Sequence, residues 1–485
     1  AGVTLAGGAS ASFTWTYTAN TIGIINFTGR ATGVDNNTNL GVTSTAAASN
    51  NIEIKNTAFL TADLSAMPLS VSEGQEITII MHVTNTGAGD ANNLTGVNMT
   101  PSGTGTVTYI SGPEPASQSI AAGANTYLTW VYTAAAAGSI SFNAGARAVD
   151  VNIGNTINSA AAASNTDIIE TPASLAASMT ASPSLISAGQ QITVLMTVTN
   201  NGTADALSVL PVTPAASAPS SVSVSLLPAS RTIAGGASSV FTWVFNSTAP
   251  GSVIFTGSAS GFDENTLNAV SSAQVSTNAV VIQAPSSIAA SISAMPSAVA
   301  LGNNITVIMT VTNSGMSSAN AVTPTGFGYS GSASLVFVSG PVPTNATITA
   351  GSSSQFTWVY ATVGLGSLTF SANASGTDFN SGLPVSTTYT AYSNVINVYP
   401  NNPVMTSYVT VSPSTVNYNQ NYTVRLTVSN VGVQAANGTI ASPLNPAPVL
   451  GGTLQSSVNP TSADIPAGGT AVFTWVYRSA NTSGA

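Results

Sequence analysis

The stretch Phe356-Thr357-Trp358-Val359-Tyr360 reads FTWVY, and the same five letters return at Phe473 to Tyr477. Near-copies begin at Phe13 (FTWTY), Leu128 (LTWVY) and Phe241 (FTWVF). Every tryptophan of the chain lies in one of them: Trp15, Trp130, Trp243, Trp358 and Trp475, spaced 115, 113, 115 and 117 residues apart. Self-similarity at a fixed period marks a tandem array. Aligning on tryptophan brings other residues into register, as a true repeat requires. Asn85, Asn200, Asn313 and Asn430 close the runs HVTN, TVTN, TVTN and TVSN at spacings of 115, 113 and 117.

Within a repeat the hydrophobic period is two, the signature of strands. In the run from Ile192, residues Ile192, Val194, Met196 and Val198 fall on one side and Thr193, Leu195, Thr197 and Thr199 on the other. Phe356, Trp358 and Tyr360 likewise point one way, as alternation across a pleated strand demands, so the aromatic triplet predicts a sandwich core in each repeat. The copy from Phe59 to Glu170 reads as about seven strands, near 59–66, 76–84, 93–99, 105–111, 126–132, 139–147 and 160–169. The fold class is therefore all-β, a row of immunoglobulin-like β-sandwiches. Its expected divisions are 1–56, the C-terminal half of a repeat; 57–170, 171–283 and 284–400, three full repeats; and 401–485, the N-terminal part of another. The segments KNTAF, ETPAS, QAPSS and YPNNPV separate them and are too short to let neighbours tumble freely.

The pairing of GQQITVLMTVTNNG with a later GGASSVFTWVF and a closing GSVIFTGSASGFDENT resembles the CARDB-type and related Ig-like repeats of large bacterial and archaeal surface proteins. The resemblance covers essentially the whole chain. It implies a stalk, an adhesin arm or a filament wall, at the cell surface or outside it. The fourth copy departs from the pattern, with Tyr422, Val424 and Leu426 in place of the Ile, Val and Met pattern of Ile192, Val194 and Met196.

Composition narrows the function further. Only 21 of 485 residues are charged, against about a quarter in ordinary domains, while Ser and Thr number 131. Hydroxyls and amides must wet the surface. The net charge is -9, and the six basic residues (Arg30, Lys55, Arg147, Arg231, Arg425, Arg478) are scattered, which excludes a phosphate-binding cluster and with it nucleic acid as partner. No apolar run approaches the roughly 20 residues of a membrane-spanning helix. There is no cysteine, one histidine (His82) and one lysine (Lys55), so neither a nucleophile with its base nor recurrent Lys-Asn isopeptide staples can be assembled, and no enzyme activity or cofactor is expected.

One polar constellation recurs: Asp35 with Asn37, Asp150 with Asn152, Asp263 with Asn265, and Asp378 with Asn380. An acid and an amide two apart on a loop suit calcium, but one carboxylate per repeat is few for an ion that takes six to eight oxygens. An Asx turn capping its own loop is the favoured reading, and no metal site is assigned. Tyr389, Tyr392 and Tyr399 are the best aromatic cluster for a carbohydrate or other ligand, with packing as the competing role. Sequons such as those at Asn26, Asn201, Asn246, Asn304 and Asn421 occur at the frequency chance gives in so Asn- and Ser-rich a chain. The two ends are complementary. The C-terminal copy carries the early strands through Trp475, and the N-terminal copy carries the closing ones. Two expectations follow: head-to-tail assembly with copies of itself, or a window of a longer repeat protein. Glycans and other surface proteins are the further partners to consider.

Overall fold

A computed structural model describes residues 2–218, 222–444 and 452–480. Every regular element among them is a β-strand. The first full repeat sets the plan. One sheet places Leu60–Met67, Glu76–Asn85, Asn125–Ala136 and Thr106–Glu114 side by side, all antiparallel. The other runs Ala91–Gly103, Gly138–Asp150, Asp167–Glu170 and Ser70–Ser72, the last pair parallel. This is the strand order of an immunoglobulin constant-type sandwich, in which strands A, B, E and D form one sheet and C, F and G the other. Repeats two and three repeat the first sheet in the same order.

The alternation read from the sequence is what builds the core. Ile192, Val194, Met196 and Val198 are all fully buried, and so are Ile305, Val307, Met309 and Val311. Across the sheet Val194 pairs with Trp243 and Val307 with Trp358, which puts each indole at the centre of its own sandwich. Separate apolar clusters span Ala58 to Ile169, Ala173 to Ile282 and Ile288 to Val398, with a smaller one from Val424 to Tyr477. The tryptophan strand is followed at once by the next strand, a turn made possible at Gly138 by a φ of +144°, where an added Cβ would meet Gly105 N at 2.4 Å.

Two amides fasten each of the three full repeats, and the first of them recurs in the fourth copy. Asn200 is buried; its Oδ1 accepts from the N–H groups of Ser174 and Gly202, and its Nδ2 donates to the carbonyls of Ala204 and Ile233. Asn85, Asn313 and Asn430 do the same in their repeats. The other amide bridges the sheets: Asn165, Asn278 and Asn394 each accept from and donate to the backbone of a single residue, Ala66, Ala181 and Ala294.

The strand expected at 160–169 is broken into Thr156–Asn158, Ala162–Ala163 and Asp167–Glu170. The hydroxyls of Ser159 and Ser164 cause the breaks, because each accepts a backbone N–H from the neighbouring strand and donates to the following carbonyl. Trp15 also departs from expectation, being 71% exposed and outside any strand. In every other copy the tryptophan strand is paired with the strand ending in Asn85, Asn200, Asn313 or Asn430. Among the described residues, 13–17 pair with no strand.

Candidate functional site: the Asp-x-Asn loops at the repeat junctions

Each Asp-x-Asn loop begins where the strand after the tryptophan strand ends, as in Gly138–Asp150 and Gly366–Asp378. In all four loops the aspartate caps its own loop backbone, as expected, through an N–H two or three residues on. Asp35 Oδ1 accepts from the N–H groups of Asn37 and Thr38 at 2.9 Å each. Asp150 Oδ1 accepts from Asn152 N and Ile153 N, Asp263 Oδ1 from Thr266 N and Oγ1, and Asp378 Oδ1 from Ser381 N and Oγ. The second oxygen is used as well: Oδ2 of Asp150, Asp263 and Asp378 accepts from the N–H of Ala58, Ala173 and Ser286 at 2.7, 2.8 and 2.7 Å. Each of these carboxylates thus ties the end of its repeat to its beginning.

Burial alone would raise the pKa of these groups. For Asp378 the donors Ser286 N, Ser381 N, Ser381 Oγ and Ser187 Oγ outweigh burial and hold the carboxyl well below its usual range. Asp263 is lowered in the same way by Ala173, Thr266 and Ser72, and Asp150 by Ala58, Ile153 and Asn152. A carboxylate ringed by N–H and O–H donors presents hydrogens where a cation would need oxygens. Among the described residues no three His, Asp or Glu side chains converge on a metal-sized site.

What the sequence did not reveal is where two of these loops sit. The Asp263 loop docks on the preceding repeat: Ser72 Oγ donates to Asp263 Oδ1 (3.2 Å), Gln75 Nε2 donates to the Asn265 carbonyl (3.0 Å), and Asn265 Nδ2 donates to Glu170 Oε2 (2.9 Å) and Ser72 Oγ (3.2 Å). The next junction repeats the clasp. Ser187 Oγ donates to Asp378 Oδ1 (2.9 Å), Gln190 Nε2 to the Asn380 carbonyl (3.1 Å), and Asn380 Nδ2 to Gln283 Oε1 (2.8 Å) and Ser187 Oγ (3.3 Å). Ser72, Asp263, Ser187 and Asp378 are essentially inaccessible to solvent. A legible signal existed, since SEGQ at 72–75 and SAGQ at 187–190 recur in register with the loops. Sequence reasoning passed over them because Ser and Gln at a turn ordinarily face water.

The other candidates are dispersed. His82 lies half-buried on the outer face of its sheet against the ring of Tyr127, 4.9 Å between centroids. Tyr389 and Tyr392 are 84% and 67% exposed, whereas Tyr399 is half-buried at the third junction. Asn26, Asn201, Asn304 and Asn421 are exposed and Asn246 half-buried. Lys55 pairs with Glu53 at 3.2 Å.

No protein-family model matches the chain, the CARDB-type repeats included, and no curated protein matches it. Solved structures do. One is FdeC, described as a broadly conserved Escherichia coli adhesin, at 14% identity and a TM-score of 0.27, covering 71% of this chain and 99% of that one. Another is the C-terminal domain of the Streptococcus pyogenes antigen I/II-family protein AspA, at 9% identity and a TM-score of 0.20, covering 45% and 99%. A third is the C-terminal domain of the Streptococcus agalactiae AgI/II polypeptide BspA, at 12% identity and a TM-score of 0.20, covering 44% and 99%. The fold assignment rests on the strand order itself.

Proposed function

We propose that this is an extracellular structural protein, the subunit of a surface filament or the stalk of a large adhesin, whose copies join head to tail by strand complementation. The observation that carries the reading is the clasp: the recurring polar residues of the repeats are spent on one another across the junctions. A chain built to set the position of one sandwich on the next is built to span distance. Its charge-poor surface and its lack of a nucleophile and base fit that role, and its partners are then copies of itself, with glycans or other surface proteins at the periphery.

The open faces support the joining mode. Met405, Val409 and Val411 are 49%, 51% and 49% exposed, while Leu60, Leu64 and Ala66 at the same places in the first full repeat are 2%, 9% and 3%. What covers the latter is the sheet containing the pair Gly138–Asp150 and Asp167–Glu170, joined with Gly138 opposite Ile169. The N-terminal copy carries that pair in the same register, Gly23 opposite Ile54 and Ile25 opposite Ile52, with Ile25 and Ile52 40% and 46% exposed. Adding one copy's pair to the other's open sheet buries both faces and removes raw edges.

Electron microscopy of the purified chain tests this. Filaments that lengthen with concentration are expected, and deleting residues 1–50 should abolish them while circular dichroism still reports folded sandwiches. A monomer at all concentrations would overturn strand exchange and leave the stalk of a longer protein. The exposed Tyr389 and Tyr392 favour a second reading, a ligand- or carbohydrate-binding adhesin arm, which glycan-array binding lost on Tyr389→Ala would support.

A further inference from the structure

The strand Asp167–Glu170 has two unlike ends. At one, Asp167 lies fully buried opposite Ile140, with Oδ1 accepting from Asn165 Nδ2 and Oδ2 without a partner. At the other, Glu170 Oε2 accepts from Ser70 Oγ (2.7 Å) and from Asn265 Nδ2 of the next repeat (2.9 Å), so it belongs to the first clasp. The rest of that clasp hangs on the same strand. It runs parallel to Ser70–Ser72 with Glu170 beside Ser72, and its last carbonyl accepts from Glu73 N. Ser72 in turn donates its hydroxyl to Asp263 and its N–H to Gln75 Oε1, the side chain whose Nε2 holds the Asn265 carbonyl.

The second junction follows the same plan without either acid: Val280 takes the place of Asp167 and Gln283 that of Glu170. No cation faces Asp167 from the elements packed against it. Leu60–Met67 carries Asp63 on its exposed face, and Gly138–Asp150 carries Arg147, also exposed, and Asp150, which is bonded to its own loop and to Ala58 N. Asn125–Ala136 turns Tyr132 inward, and burial, with Tyr109 beside it, pushes that phenol further above its usual range; Tyr127 of the same strand is exposed. Beyond Ser70–Ser72, Glu73 accepts from Ala137 N. With nothing to offset a charge, burial pushes the Asp167 carboxyl up to about 6 despite the bond from Asn165.

We infer that the first junction is a proton-operated joint: protonated Asp167 keeps its strand seated and the clasp closed, and ionised Asp167 draws the strand towards water and opens the clasp. Lifting this four-residue strand is a small movement, because Ile168 is already exposed and only Ile169 leaves the core with Asp167. The joint is thus closed in acid and opens as pH rises through about 6, while the second junction, with no acid in its strand, keeps its clasp. The inference concerns repeats within one chain and is independent of how copies join.

The chain has no cysteine, so engineered pairs carry spin labels without background. Thr108, Ser223 and Val336 occupy matching places opposite Thr133, Asn246 and Ala361, and all three are exposed. On the full chain, Thr108→Cys with Ser223→Cys spans the first junction and Ser223→Cys with Val336→Cys the second. Pulsed dipolar spectroscopy at about pH 4.5 should give narrow distance distributions for both; at about pH 7.5 the first should widen by about twofold or more and the second should not. Asp167→Val, which installs the residue of the second repeat, should keep the first distribution narrow at both pH values. Thr108→Cys with the exposed Asn143→Cys, on opposite sheets of the first full repeat, should stay narrow throughout, because the joint opens and the sandwich does not. A first junction whose width ignores pH, a widening that survives Asp167→Val, or a pair within the repeat that widens together with the junction would overturn the joint.

Discussion

Asp167 stands opposite Ile140 in the first full repeat, where Val280 stands opposite Val253 and Ile396 opposite Leu368 in the next two. It is fully buried, its Oδ1 accepts from Asn165 Nδ2, and its Oδ2 has no partner. Burial therefore pushes its carboxyl up to about 6. The folded state binds this proton more tightly than the unfolded chain, so its contribution to stability is full below about pH 3.8 and is lost as pH rises through about 6. A shift of that size is worth about 3 kcal/mol. The first full repeat should melt at a lower temperature at pH 7 than at pH 4.5, and Asp167→Val should raise its melting temperature at pH 7 and erase the difference. Calorimetry at both pH values checks this, and repeats two and three are the internal control. The clasp carboxylates carry the opposite sign. Their folded pKa values are lowered, so their contribution is present above the unfolded value and lost only as pH falls below the ordinary carboxylate range.

At the scale of the strand, the five copies of the tryptophan motif test what holds an element in place. Ser238–Ser247 lies between two partners, and its Phe241, Trp243 and Phe245 are 1%, 0% and 4% exposed. Residues 13–17 carry nearly the same letters and form no strand, with Phe13 and Tyr17 49% and 68% exposed. Period-two patterning makes a segment competent to be a strand; partners on either side make it one, since an isolated strand has no use for its backbone N–H and C=O groups. Trp243→Ala is accordingly expected to cost about 3 to 5 kcal/mol and to unfold chiefly the second full repeat, while Trp15→Ala leaves the melting profile of the isolated chain unchanged. A calorimetric trace in which both substitutions act alike would refute the distinction.

At the scale of the molecule, the two clasps order three sandwiches in series. Strands of about 8 to 10 residues at about 3.3 Å, plus loops, give roughly 35 to 45 Å per repeat and a slender particle about 150 Å long. Solution scattering should return a maximum dimension of that order, and a value under about 90 Å would exclude end-to-end stacking.

The period, the all-β class, the inner-face residues and the self-capping Asp loops were legible in the sequence, because each is a local rule repeated. A strand alternates, a turn caps itself, and a copy every 113 to 117 residues exposes both. The recurrence of SEGQ and SAGQ was legible but its meaning was not, because the partners of the clasp lie 190 to 193 residues apart and belong to different repeats. Ser72 and Gln75 carry no local sign of burial, and only the docking of the next sandwich turns a solvent-facing turn into an enclosed polar contact. The exposure of Trp15 and the burial of Asp167 were decided in the same way. The sequence by itself determined which residues can form a core, and the tertiary structure decided which of them have something to pack against.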